Sequence, residues 1–131
     1  MVKSYKKFRG RIIPSEHTQQ ALLISWADLV KGQYPELQLL FAIPNGGARS
    51  ARAGAMLKRE GVKAGVPDLC LPVARRIWHH LYIELKAGDG RLSEKQKDWV
   101  EALSQQGNCV AVAYSFEEAK GILVDYLEGR L

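Results

Sequence analysis

Residues 67–86, PDLCLPVARRIWHHLYIELK, decide the fold. Two apolar runs flank Arg75-Arg76, so the stretch reads as an antiparallel hairpin with a strand over residues 68–74 and a longer one over 77–86. Side chains alternate along a strand. His80, Tyr82, Glu84 and Lys86 therefore share one face, and Leu81, Ile83 and Leu85 take the other, against a core. Asp68 and Glu84 are equidistant from Arg76. A turn centred there sets the two carboxylates opposite one another, with Cα atoms about 4.5–5.5 Å apart and side chains on one face. Pro72 has no N–H to give the ladder and marks an edge or a bulge. A one-residue bulge sends the carboxylates to opposite faces unless it is compensated elsewhere.

Outward from the hairpin, helix and strand signals alternate. Upstream, Ser15 caps a helix running to about Lys31, whose apolar face is Ala21, Leu22, Ile24, Leu29 and Val30, and Gly32 ends it. Residues 37–43 read as a short strand broken by Pro44-Asn45-Gly46-Gly47. A second helix spans residues 50–60 with Gly61 at its C-terminal end. Downstream, Ser93 to Gln96 forms a capping box opening a helix that turns Trp99, Val100 and Leu103 inward and stops at Gly107. Residues 109–114 read as a strand buried on both faces. Ser115 to Glu118 is a second capping box, opening a last helix to about Glu128. The order αβαββαβα predicts an α/β domain with a central mixed sheet flanked by helices.

The bulk numbers agree with one such domain. The chain has 131 residues, 47% of them hydrophobic and 25% charged. No apolar run nears the roughly 18 residues that span a bilayer. The basic N-terminus lacks the apolar core of a secretory signal. Cys70 and Cys109 lie in apolar segments and read as buried thiols in a reducing compartment. The net charge of +5 is uneven: residues 1–63 hold eleven Lys/Arg against four Asp/Glu, and residues 64–131 hold eight against ten. A basic half suits a polyanion partner, or solubility alone, while the acidic half must supply any metal ligands. Residues 1–14 carry five cations and no acid and form a basic N-terminal arm, leaving 15–131 as the folded domain.

The opposed carboxylates carry the chemistry. So close a pair repels unless one is protonated or a cation intervenes. Oxygen-only ligands select a hard ion such as Mg²⁺ or Mn²⁺. Lys86 beside them can orient an attacking water or offset charge developing on a phosphate. Together these parts suit phosphodiester hydrolysis, although a surface hairpin with an ordinary Asp, Glu and Lys has the same spacing.

More specific runs occur in a fixed order: Glu16 in Ser-Glu-His-Thr-Gln-Gln, then Asn45-Gly46-Gly47, Gly65-Val66-Pro67-Asp68-Leu69, Glu84-Leu85-Lys86 and Gln96. In these, over about residues 15–114, the chain resembles the VRR-NUC nucleases, a branch of the PD-(D/E)xK superfamily. The resemblance implies a restriction-endonuclease-like fold. It implies Asp68 and Glu84 as ligands of Mg²⁺, for which Mn²⁺ substitutes, with the Leu85 backbone carbonyl as a further ligand. Lys86 becomes the catalytic lysine, Glu16 a direct or water-mediated contact to the metal, and Gln96 a supporting residue. It also implies DNA, branched or four-way, as substrate, a homodimer, and the cytoplasm of a bacterial or phage-infected cell. A flap or linear-duplex nuclease and a non-catalytic DNA-binding module of the same fold remain alternatives.

Other readings stay open beside these. Gln96 is also the third residue of a capping box, and Glu16 sits where a helix dipole favours an acid. Asn45-Gly46 is either a tight turn or a loop approaching phosphate. Arg49, Arg52, Lys58, Arg59 and Lys63 either grip DNA phosphates or form a solvated face. His17, His79 and His80 match no zinc spacing.

Overall fold

The computed structural model describes residues 5–8, 11–44 and 50–131. Asn45, Gly46 and Arg49 lie outside the described residues. The fold is a four-stranded mixed sheet, its strands lying side by side in chain order, with α-helices packed around it. Strands β3 (Phe41–Ala42), β4 (Leu69–Leu71) and β5 (Leu81–Leu85) are antiparallel neighbours, and β6 (Cys109–Ala113) lies parallel to β5. The helices are α1 (Glu16–Leu29), α2 (Ala51–Arg59), α3 (Glu94–Gln105) and α4 (Phe116–Leu127). From α1 onward the order is the expected αβαββαβα, with a short 3-10 helix, Pro35–Leu39, after α1. The lead-in expected as an arm contains a two-stranded hairpin, β1 (Tyr5–Phe8) with β2 (Arg11–Pro14).

The central hairpin keeps the register read from the sequence. Leu69 pairs with Ile83, Cys70 with Tyr82 and Leu71 with Leu81, all equidistant from Arg76. The strands are shorter than expected because β4 stops at Leu71, before Pro72. The connection is not a simple turn at Arg76. A two-residue turn, with Arg75 and Trp78 exchanging both backbone hydrogen bonds, is centred half a residue further on. One extra residue on the Pro72 side restores the register between that turn and Leu71–Leu81. The bulge and the offset turn cancel, so the continued register faces Asp68 with Glu84.

The core lies on the Leu face of the sheet. Leu69, Leu71, Leu81, Ile83 and Leu85 pack against Leu23 and Ala27 of α1 and Ala119, Leu123 and Tyr126 of α4. The Tyr126 hydroxyl donates to the Val73 carbonyl, tying α4 to the connection after Pro72.

Three expectations need correction. Helix α1 buries Gln19, Leu23 and Ala27, one stripe at i, i+4 and i+8, and leaves Leu22, Ile24 and Leu29 exposed. It is apolar around much of its circumference, so spacing alone did not choose the docking face. The stretch over residues 37–43 begins as 3-10 helix through Leu39, because Pro35 fixes the first turn and Leu37 turns inward, so the strand shrinks to Phe41–Ala42. Strand β6 is part-buried apart from Ala113, as befits the edge of the sheet. Among the described residues, no helix is long and apolar enough to cross a membrane.

Candidate active site

Four segments converge where β4 enters the sheet. Pro67, fully buried, leads into Asp68, the residue just before β4. Asp68 Oδ2 accepts the Leu85 N–H at 2.7 Å, a bond that locks the acid across the hairpin next to Glu84. Glu84 is only 3% exposed although it carries a carboxyl. Its Oε1 accepts from Gln96 Nε2 at 2.9 Å and lies 3.7 Å from Lys86 Nζ. Its Oε2 is buried with no donor against it.

Gln96 reaches this centre from the first turn of α3. Its Oε1 accepts both the Ser93 N–H at 2.8 Å and Lys86 Nζ at 2.9 Å. The capping role and the site contacts, alternatives on sequence grounds, are both made by one side chain. Helix α3 is thereby clamped to the carboxyl pair. The second capping box differs: Ser115 Oγ accepts from the Glu118 N–H, but the Glu118 carboxylate takes the N–H of Tyr114 rather than that of Ser115.

The electrostatics follow from burial and crowding. Burial is the largest cause raising the Glu84 pKa from 4.5 to about 8, followed by the charge of Asp68; Lys86 partly offsets the rise. Asp68 is also raised, chiefly by burial, with the Leu85 N–H pulling it back. The two carboxyls are close enough for a proton on Glu84 to bond Asp68. Glu16, exposed at the start of α1, adds negative charge that raises both. Glu84 is thus held mostly protonated at neutral pH unless a cation replaces the proton.

The donor set suits a hard divalent ion. Two carboxyls meet on one face, and one of their oxygens is buried without a donor. Among the described residues, no three His, Cys, Asp or Glu side chains draw tight enough to hold a metal by themselves. The Asp68–Glu84 pair would leave a hard cation in need of further oxygen ligands from backbone, water or substrate, a need that magnesium commonly meets in this way.

The other expected site residues are dispersed. Lys58 and Lys63 line one groove between α2 and α3. Arg59 borders a separate shallow depression with Met56 and Glu60. Arg52 is exposed on α2 and lines neither. His80 packs edge-on to Tyr82, and His79 sits against Gly107. Sequence reasoning assigned Lys95 no role and treated Trp99 as core; both line the groove with Lys58. The available signal was Gly54, a small residue in the middle of α2.

The profile of the VRR-NUC domain matches residues 7–117. A solved structure described as a VRR_NUC domain protein is 29% identical, superposes with a TM-score of 0.74, and is matched over 88% of this chain and 89% of its own. No curated protein matches.

Proposed function

Since the chain belongs to the VRR-NUC domain family, we propose that it is a metal-dependent DNA endonuclease whose centre is Asp68, Glu84, Lys86 and Gln96. The observation that carries this reading is the buried Glu84 beside Asp68, with Lys86 and Gln96 hydrogen-bonded around it. Asp68, Glu84 and the Leu85 carbonyl hold Mg²⁺ or Mn²⁺, and Glu16 contributes charge from α1, directly or through water. When bound, the ion supplies Lewis-acid stabilisation to the scissile phosphate.

The chain's own residues do the remaining work. Lys86 is pointed by its contacts with Gln96 Oε1 and Glu84, so its ammonium orients the attacking water or offsets charge on the phosphate. Gln96 fixes the Glu84 carboxylate in one rotamer by donating to Oε1. Asp68, anchored on the Leu85 N–H, keeps its position when the proton on Glu84 is exchanged for a cation.

The substrate reading is branched DNA, four-way junctions first. Among the described residues no helix-turn-helix or zinc finger is evident to read bases, and phosphate contacts recognise shape rather than sequence. A domain of this size reaches few base pairs alone, and a two-fold dimer presents two centres to two strands. Incubation of the purified protein with four-way, flap, nicked and linear DNAs, in Mg²⁺ and in chelator, tests the proposal. Junction cleavage that requires metal is expected. Binding without metal-dependent cleavage of any of these would replace it with the non-catalytic DNA-binding module.

A further inference from the structure

Between α2 and α3 lies a groove of about 640 Å³, lined by none of Asp68, Glu84, Lys86 and Gln96. Its walls are Leu57, Lys58 and Val62 from α2 and its exit, Lys63, and Lys95 and Trp99 from α3. The volume is within the range of small-ligand sites, roughly 300–1,000 Å³. Three lysines and no carboxylate line it, and among the described residues none of those lysines is ion-paired. The half-buried Trp99 indole is held in place by its N–H, which donates to the Ala64 carbonyl at 3.1 Å.

Groove and carboxyl pair share two chain segments. Residues 62–64 wall the groove and continue through Gly65 to Asp68. On α3, Trp99 is one turn beyond Gln96, at the i, i+3 spacing that makes neighbours on a helix. The two segments are pressed together at Gly65, where φ is +90° and an added Cβ would lie 2.8 Å from the Lys95 backbone. A strand seated in the groove would therefore run toward the carboxyl pair along residues 64–68 and the first turns of α3.

The geometry points to a subsite for one unpaired nucleotide of the DNA strand, its base against Trp99 and its flanking phosphates on Lys58, Lys63 and Lys95. An aromatic face with a surrounding cationic rim is the general solution for single-stranded nucleic acid. A paired base, stacked within a duplex, cannot enter a walled groove without being extruded. The assignment deepens the nuclease reading, on which its purpose rests: the preferred substrate has an unpaired nucleotide beside the cut, as at a flap, a nick with a displaced end or an open junction centre.

Binding to an oligothymidylate about ten nucleotides long, measured by anisotropy in EDTA, tests the subsite without any cleavage. Trp99→Phe should weaken binding severalfold and Trp99→Ala by about tenfold or more. Because Trp99 also braces Ala64, Gly54→Leu provides an independent block: a Cβ there meets nothing within 4 Å, so the new side chain enters the groove and leaves the fold intact. Its melting temperature should equal or exceed that of the parent, because leucine favours a helix more than glycine does, while oligothymidylate binding falls at least about tenfold. Unchanged affinity in folded Gly54→Leu would overturn the subsite, as would equal affinity for blunt duplex and oligothymidylate. Absence of nuclease activity with this pattern intact would sink the catalytic reading and leave the subsite standing.

Discussion

Raising the pH should destabilise the metal-free protein through one side chain. Glu84 is raised from 4.5 to about 8 by burial and by Asp68. Between those values the folded protein holds a proton that the unfolded chain has released, so stability falls as pH rises from about 4.5 to 8. At about 1.4 kcal/mol per pH unit the whole displacement is worth close to 5 kcal/mol. Water entry and separation of the two carboxyls as Glu84 ionises relieve part of the burial penalty, which leaves roughly 2–4 kcal/mol. For a domain of this size that is about 8–15 °C in Tm. Glu84→Gln removes the titration while keeping an oxygen for Gln96 Nε2 and placing an amide donor beside Asp68. Thermal melts of both proteins in chelator at pH 5, 6.5 and 8 check this. The variant should match the parent at pH 5 and exceed it at pH 8, and Mg²⁺ should restore the parent alone. A parent-minus-variant difference that is flat with pH, or grows in the parent's favour, refutes the buried-pair reasoning.

The remaining predictions concern neighbouring residues. Asp68→Asn, which still accepts the Leu85 N–H, should raise metal-free stability by about 1 kcal/mol in chelator melts and abolish cleavage. Lys86→Ala should lower the single-turnover cleavage rate about 10²–10³-fold while leaving DNA affinity and Tm nearly unchanged. Gln96→Ala removes half of the capping box and frees Lys86 and Glu84 together. Denaturant melts should show a loss of about 1 kcal/mol, and the cleavage rate well below the melting transition should fall by far more than that loss explains. Gly65→Ala should cost about 2–4 kcal/mol in the same melts, because both its φ of +90° and its contact with Lys95 resist a Cβ.

What the sequence made legible was the pairing that local rules control. The 67–86 stretch carries its own register: Asp68 and Glu84 are equidistant from Arg76, and the observed ladder keeps that symmetry. Ser15, Ser50, Ser93 and Ser115 all cap helices by accepting the amide three residues on, a purely local arrangement. Long-range packing was not legible. Nothing local told α1 to bury Leu23 rather than Leu22, since the choice depends on where α4 and β5 offer space. Pro72 signalled a bulge, but its cancellation by the turn at Arg75–Trp78 needed the three-dimensional ladder. The double engagement of Gln96 and the groove at Trp99 arise from α3 docking against segments distant in sequence.

The central claim is that Asp68 and Glu84 share one hard cation. Calorimetric titration of the metal-free protein with Mn²⁺ at pH 7, repeated in buffers of different ionisation enthalpy, tests it most directly. Because Glu84 is mostly protonated there, binding should release close to one proton, and Glu84→Gln should lose both the binding step and the proton. Mn²⁺ binding of equal strength in the variant, or binding with no proton released, would contradict the account.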